Sequence, residues 1–394
     1  MRLSPRTALA VLLLPACVES GRVLQSDRPG EPVDVAPRAS ALGTGDQHGC
    51  AIVGGALACW GANDAGQLGL GDTEDRLAPA AVGSELVFER LALGTAHSCA
   101  LTTTGDVFCF GDNARGQLGS GTRARQLLPT RVALARPVTQ LSCHFEHCCA
   151  IADDRSLWCW GKNEEGELGQ GDVFPDGADE SADALTPVMV GAARYLAVDT
   201  GQGHTCGVRE DGTIWCWGRN SFHELGPEPL EQVRAPIRVG AATDWVTVVT
   251  GQHHSCGLKR DRSLWCWGRN TALQTGEGFP LGVEGDVVSE PTRVPLSVSV
   301  ATVGTDTFHS CVIDPTGGLW CWGRNVEGQL GLTDRALRRA PEPIGAGFAA
   351  VDPGRFHTCA LRLDGSVVCA GPNARGELGT GDAVARDQLS RVAW

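Results

Sequence analysis

One string recurs seven times along the 394 residues, and it constrains the fold more than any other feature. It reads His-x-Cys, about ten residues, then Cys, usually an aromatic residue, then Gly. The copies are His48/Cys50 with Cys59-Trp60-Gly61, His97/Cys99 with Cys109-Phe110-Gly111, and His147/Cys149 with Cys159-Trp160-Gly161. They continue as His204/Cys206 with Cys216-Trp217-Gly218 and His254/Cys256 with Cys266-Trp267-Gly268. The last two are His309/Cys311 with Cys321-Trp322-Gly323 and His357/Cys359 with Cys369-Ala370-Gly371. The His-to-His steps are 49, 50, 57, 50, 55 and 48 residues. Short β-type runs separated by glycines, at a fixed period and with little helical periodicity, indicate a β-propeller with one blade per repeat. The expected fold is therefore all-β, a seven-bladed β-propeller over residues 39–394 built from repeats of about 50 residues. Length alone would suggest two or three domains, and the repeat overrides that prior.

The chain ends bear on how the ring closes. Arg391-Val392-Ala393-Trp394 matches Arg131-Val132-Ala133-Leu134, and Ala39–Gly45 matches Phe88–Gly94. Each end then lacks a neighbouring strand. We expect the N- and C-terminal strands to share one blade, which would remove both free edges.

The chain has 17 cysteines, too many for an ordinary cytosolic thiol enzyme, so disulfides or metal sites are implied. In the fourth repeat, Cys206 and Cys216 lie symmetrically about the tip Glu210-Asp211-Gly212, as do Val208 and Ile214. The cysteines then face each other across a hairpin. Six repeats keep a spacing of ten; the first has nine, and its tip is the two-residue loop Gly54-Gly55. The loop shortens and the cross-strand register survives. The expectation is one disulfide per blade: Cys50–Cys59, Cys99–Cys109, Cys149–Cys159, Cys206–Cys216, Cys256–Cys266, Cys311–Cys321 and Cys359–Cys369. The competing use is metal binding by the His, its following Cys and the facing Cys. Seven identical open metal sites on one chain argue against it, and no metal or cofactor is assigned. Cys143 and Cys148 fall outside the pattern. They are expected to form a further local disulfide, or else a redox or metal loop with His144 and His147; Cys148-Cys149 adjacency also permits a vicinal bridge.

The first residues look like an export signal. Arg2 and Arg6 precede the apolar run Ala8–Leu14, which is too short to span a bilayer. Leu14-Pro15-Ala16-Cys17 resembles the lipobox of bacterial lipoproteins, which makes Cys17 the lipidation site and leaves an even number of cysteines. Its Pro15 departs from the common pattern. Residues 1–16 are read as signal peptide and 17–38 as a tether.

The combined pattern Gly-x-x-His-x-Cys-x-Leu, Asp-Gly-x-x-x-Cys-Trp-Gly-x-Asn and Gly-Gln-Leu-Gly resembles the regulator of chromosome condensation repeat. That resemblance implies a seven-bladed propeller and is nearly silent about activity. Guanine-nucleotide exchange, as in nuclear relatives, conflicts with an export signal. A net charge of −13 argues against nucleic acid as partner. No nucleophile, zinc-protease or phosphate-loop motif is present. The repeated histidines and tryptophans are read as structural, the former bonding to backbone within each blade and the latter packing between blades.

Departures from the repeat point to a binding face. Inserts at Asp172–Ala184 and Glu277–Ser289 leave equivalent positions, so both emerge on one side of the ring. Candidate binding residues are Asp172, Asp176, Asp179, Glu180, Asp183, Phe222, His223, Glu277, Glu284 and Asp286. The expected function is a non-catalytic, protein-binding scaffold of the cell envelope. It is monomeric, and it is secreted or held by its lipid on a bacterial membrane, most simply the outer one. Its partner is an envelope or extracellular protein, not nucleic acid. The alternative is an envelope glycan-binding protein or carbohydrate-active enzyme using tryptophans and loop carboxylates.

Overall fold

The repeat register sets the local structure. In the fourth repeat the strands His204–Arg209 and Ile214–Arg219 pair antiparallel, with Cys206 opposite Cys216 and Val208 opposite Ile214. Gly212 at the tip takes a positive φ of 75°, and Gly54 and Gly55 of the shorter first tip take 58° and 85°. These are the left-handed positions that such hairpin loops require. A computed structural model describes residues 37–171, 183–276 and 287–394, and residues 37–394 form one compact unit. Among the described residues there is no helix.

Every repeat becomes a four-stranded antiparallel blade. The first is Ala39–Thr44, His48–Val53, Ala56–Gly61 and Arg76–Ala81, hydrogen-bonded in sequence order from the axis outward. Blades two, five, six and seven are separate sheets of the same order. Blades three and four are joined by the 17-residue strand Ala184–Thr200. Its first part pairs with Ser156–Gly161 as the outer strand of blade three, and Tyr195–Thr200 pairs with His204–Arg209 as the inner strand of blade four.

The expected sharing of one blade between the termini does not occur. Ala39–Thr44 and Arg386–Arg391 lie in different sheets, each with its own sequence neighbours. The first described strand is the inner strand of a complete blade, so neither end lacks a partner strand. Blades one and seven meet face to face instead. Ala39 N donates to Gly365 O, Gly381 N to Leu77 O and Thr44 N to Asp352 Oδ2. Arg375 bridges to Asp75 and Asp64 across the same junction.

Packing follows from strand alternation. Seven buried apolar clusters form, one at each junction between neighbouring blades. The cysteine pair of each blade faces the following blade. The aromatic residue after its second cysteine points the other way, into the preceding one; Trp217, for example, packs with Leu157 and Leu168 of blade three. Trp60, Trp160, Trp217, Trp267 and Trp322 are all fully buried in this way. Truncating one of them to alanine should cost about 3–5 kcal/mol.

Eight disulfides join the sixteen described cysteines, the seven cross-strand pairs plus Cys143–Cys148. Cys148 lies opposite Cys143 of the inner strand, and Cys149 lies opposite Cys159. Successive strand residues point to opposite faces, so the adjacent cysteines serve two different bridges and no vicinal bond forms. On full reduction the intact mass should rise by sixteen hydrogens, two for each of these bridges. Replacing Cys206 and Cys216 together by Ser should lower stability by up to about 3 kcal/mol in denaturant unfolding.

Candidate functional site

The repeated histidines make hydrogen bonds between blades, not to backbone within a blade. His48 Nε2 lies 2.9 Å from Ser98 Oγ of the next blade, and Ser98 in turn donates to the Gln67 carbonyl at 2.8 Å. The same relay runs from His147 through Thr205 to Glu167, from His204 through Ser255 to Glu224, and from His254 through Ser310 to Gln274. His309 meets Thr358 at 2.7 Å. Because the hydroxyl proton goes to the carbonyl, the imidazole donates from Nε2 and is neutral. Burial drives these histidines far down, to about 3 for His48, His97, His147 and His254 and about 4 for His309 and His357.

Two junctions break the relay. Gly49 stands where the hydroxyl would be between blades seven and one, and His357 Nε2 is left without a partner. A Cβ on Gly49 would lie 2.8 Å from the Trp60 ring. Between blades two and three, Cys148 takes the position, with its sulfur 3.2 Å from His97 Nε2.

The inner strands of all seven blades line one axial cavity of about 230 Å³. Its polar lining includes Thr44, His144, Asp199, Asp306 and Asp352. His144 of blade three faces Asp306 of blade six at 3.5 Å. Burial opposes the charged imidazole, but Asp306, with Asp46 and Asp199 further off, outweighs it and raises the His144 pKa. Burial likewise works against ionised Asp306, yet His144 holds it below the usual carboxylate range. Burial pushes Asp352 up to about 7, with Asp306 and Asp199 adding like-charge repulsion. The sequence carried a signal for the pair that was missed. Three residues before the repeated histidine the chain has Gly45, Gly94, Gly201, Gly251 and Gly354, and only blades three and six break this column, with His144 and Asp306. The glycines are needed because a Cβ would strike the histidine ring of the same blade, as at Gly94, 2.1 Å from His97 Cε1.

The turns between inner and second strands share a face with the connections from third to outer strands. The residue after each Cys-aromatic-Gly string is a cation in four consecutive blades: Lys162, Arg219, Arg269 and Arg324. Arg324 lies over the Phe308 ring, which stacks on Phe356 at 5.8 Å, and Arg355 lies over Phe356. Arg269 lies over Phe222, which meets the His253 ring edge-on at 5.0 Å. Arg219 donates to His253 Nδ1 at 2.6 Å, and burial lowers the His253 pKa, so this imidazole is neutral. All four arginines and all three phenylalanines are half-buried.

Of the binding residues expected from sequence, Phe222 lies in this arc. His223 adopts a φ of 59° in the slot that Gly66, Gly116 and Gly166 fill in the first three blades, and its Nδ1 lies 3.2 Å from the Gly226 carbonyl. Asp183 does not belong to an open face. Its side chain is 4% exposed and is held by Arg123 at 2.7 Å, because the outer strand of blade three draws it against blade two. Asp172, Asp176, Asp179, Glu180, Glu277, Glu284 and Asp286 lie outside the described residues. The second ends of the expected inserts, Ala184 and Val287–Ser289, belong to outer strands. The tryptophans before the second cysteine offer no open platform. Trp215, for instance, is half-buried, bonded to Thr213 Oγ1 and covered by Arg209 at 3.5 Å.

Comparison with known proteins gives consistent results. The Regulator of chromosome condensation (RCC1) repeat matches residues 55–101, 104–151, 211–258 and 316–361, and a second description of that repeat matches 89–117, 138–167, 196–224 and 245–274. The ultraviolet-B receptor UVR8 of Arabidopsis thaliana is 26% identical over 317 residues, covering 78% of this chain. The chain spans only 58% of that receptor's length. Human WBSCR16 superposes with a TM-score of 0.75 at 20% identity, covering 86% of this chain and 94% of that one. Prp20p of Saccharomyces cerevisiae, described with its binding to Gsp1p and histones, gives 0.76 at 21% identity, covering 85% of each chain.

Two measurements test the electrostatics. Unfolded histidines take up protons below about 6.5, whereas the relay histidines stay neutral until about 3–4. Their contribution to stability is full above the unfolded value and is lost as pH falls through that window. Asp352 and Glu167, which burial raises to about 7, act in the opposite sense, as do Asp46, Asp199 and His144, whose pKa values are also raised, but these five are fewer than the seven relay histidines. The unfolding midpoint should therefore fall steeply on acidification, and His147→Asn should flatten the dependence by about 1.4 kcal/mol per pH unit. In the axial cavity, His144→Gln or Asp306→Asn alone should cost about 3 kcal/mol, and the double change should cost at least ~1 kcal/mol less than the sum.

Proposed function

We infer the function from the premise that the chain belongs to the RCC1 repeat family, and we propose that it is a protein-binding scaffold of the cell envelope. The observation that carries this reading is the arginine–aromatic arc on the turn face, Arg219, Arg269, Arg324 and Arg355 with Phe222, Phe308 and Phe356. Arginine and aromatic side chains on a rigid frame are the groups that dominate protein interfaces. Their guanidinium groups suit a partner segment rich in carboxylates. Prp20p, of similar fold, binds the proteins Gsp1p and histones, which supports a protein as the ligand class here. The described residues that flank the stretches bearing Asp172, Asp176, Asp179, Glu180, Glu277, Glu284 and Asp286 belong to the third-to-outer strand connections of blades three and five, which share this face. Export and lipid attachment at Cys17 complete the proposal, and no catalytic step or cofactor is assigned.

Affinity capture from the native envelope tests the face. The wild-type chain should retain a partner that Arg269→Glu combined with Phe222→Ala loses at least 10-fold, while Arg136→Glu on the opposite, hairpin side leaves capture unchanged. Equal loss from both changes would overturn the assignment to this face. Labelling cells with a fatty acid should mark the wild type and leave Cys17→Ser unmarked.

A further inference from the structure

Replacing a hydroxyl by Cys148 at one blade junction gathers chemistry found, among the described residues, at no other junction. Cys148 Sγ lies 3.2 Å from His97 Nε2 and 3.8 Å from Cys99 Sγ, and Cys143 is bonded to it from the inner strand. A ring nitrogen of His97 and the sulfurs of Cys99, Cys143 and Cys148 all lie within 4.8 Å of one another. The four side chains are buried, three of them completely. In a tetrahedral zinc–thiolate site, sulfurs about 2.3 Å from the metal are roughly 3.8 Å apart. The Cys99–Cys148 separation already has that value. The histidine expected to accompany the extra cysteines is a different one. His144 points to Asp306 and His147 to Thr205, and the imidazole beside the sulfurs is His97 of the preceding blade.

We propose that the reduced protein binds one zinc ion through His97 Nε2 and the thiolates of Cys99, Cys143 and Cys148, and that the Cys99–Cys109 and Cys143–Cys148 disulfides are the oxidised, metal-free form of the same site. The reductant is a dithiol. For each bridge, one dithiol thiolate attacks a sulfur, the S–S bond breaks, and the second dithiol sulfur closes to release the protein dithiol. Two electrons and two protons pass to each protein disulfide, and the reductant leaves as its own disulfide. Cys143 lines the axial cavity and gives that attack a route in. Zinc then displaces three thiol protons, while neutral His97 supplies its Nε2 lone pair. Cys109 remains a thiol. The other junctions cannot do this, because Ser98, Thr205, Ser255, Ser310 or Thr358 stands where Cys148 is, and Gly49 at the seventh.

Cobalt(II) is the probe, added anaerobically to the full chain after reduction with a dithiol and removal of the excess. The expected result is one cobalt per chain with the visible absorption of tetrahedral thiolate coordination, displaced by zinc. Cys148→Ser restores the residue type of the neighbouring junctions. It should lose this spectrum and weaken metal retention by more than the roughly 100-fold that outer-shell partners are worth. Cys206→Ser with Cys216→Ser should leave both unchanged. If reduction unfolds the chain, the second measurement is cobalt retained through gel filtration after refolding in its presence. No tetrahedral spectrum and no retained metal, or equal uptake by Cys148→Ser, overturns the proposal.

Discussion

The backbone carbonyl of the Gln or Glu in the tail loop is the acceptor on which the assembly turns, as seen at Gln67, Gln117, Glu167, Glu224, Gln274 and Glu377. The Glu167 carbonyl accepts both the Trp217 indole at 2.7 Å and the Thr205 hydroxyl at 2.8 Å from the following blade. Thr205 in turn accepts from His147. One acceptor thus ties the loop of one blade to the core aromatic and the second strand of the next. The side chain of the same residue curls back to hold its own loop, as Glu167 Oε2 does with the Glu165 amide. Burying polar groups is costly unless they are paired, and the relay pairs the hydroxyl, the indole and one ring nitrogen of the histidine, leaving Nδ1 of His48, His147, His204, His254 and His309 without a partner. That requirement explains why histidine, hydroxyl, tryptophan and Gln/Glu recur together at a fixed period.

The disulfides act at right angles to this relay. They lock the two central strands of each blade in register, and register decides which side chains face which neighbour. A slip of one residue in the second strand would send His204 and Cys206 to the face now held by Thr205. The staples and the relay therefore reinforce one another, and both are written in the spacing of the repeat.

That spacing made the blades, their hairpins and the cysteine partners legible, because every one of them is local. Ring closure was misread because a circular repeat has no marked starting point, and a strand at the chain end can equally complete a blade or begin one. Side chains brought together from distant blades were harder still. His144 and Asp306 are 162 positions apart and meet only when the ring forms. Their one local trace is a lost glycine in each of two copies. The arginine–aromatic arc left a fainter mark, one register position that is cationic in blades three to six. Asp183 was misassigned for the opposite reason. Its acidic neighbours suggested an open loop, whereas its carboxylate is sealed against Arg123 of the blade before.

The continuous strand Ala184–Thr200 makes the propeller mechanically unequal around its circumference. Blades three and four are welded by unbroken backbone, whereas blades seven and one meet through side chains, a few loop hydrogen bonds and a relay that lacks its hydroxyl. In a ring of seven these two junctions lie on opposite sides. The ring is thus a strip with one reinforced fold and one fastened edge: to part blades seven and one, only non-covalent contacts have to give, whereas parting blades three and four means breaking the ladder of a single strand.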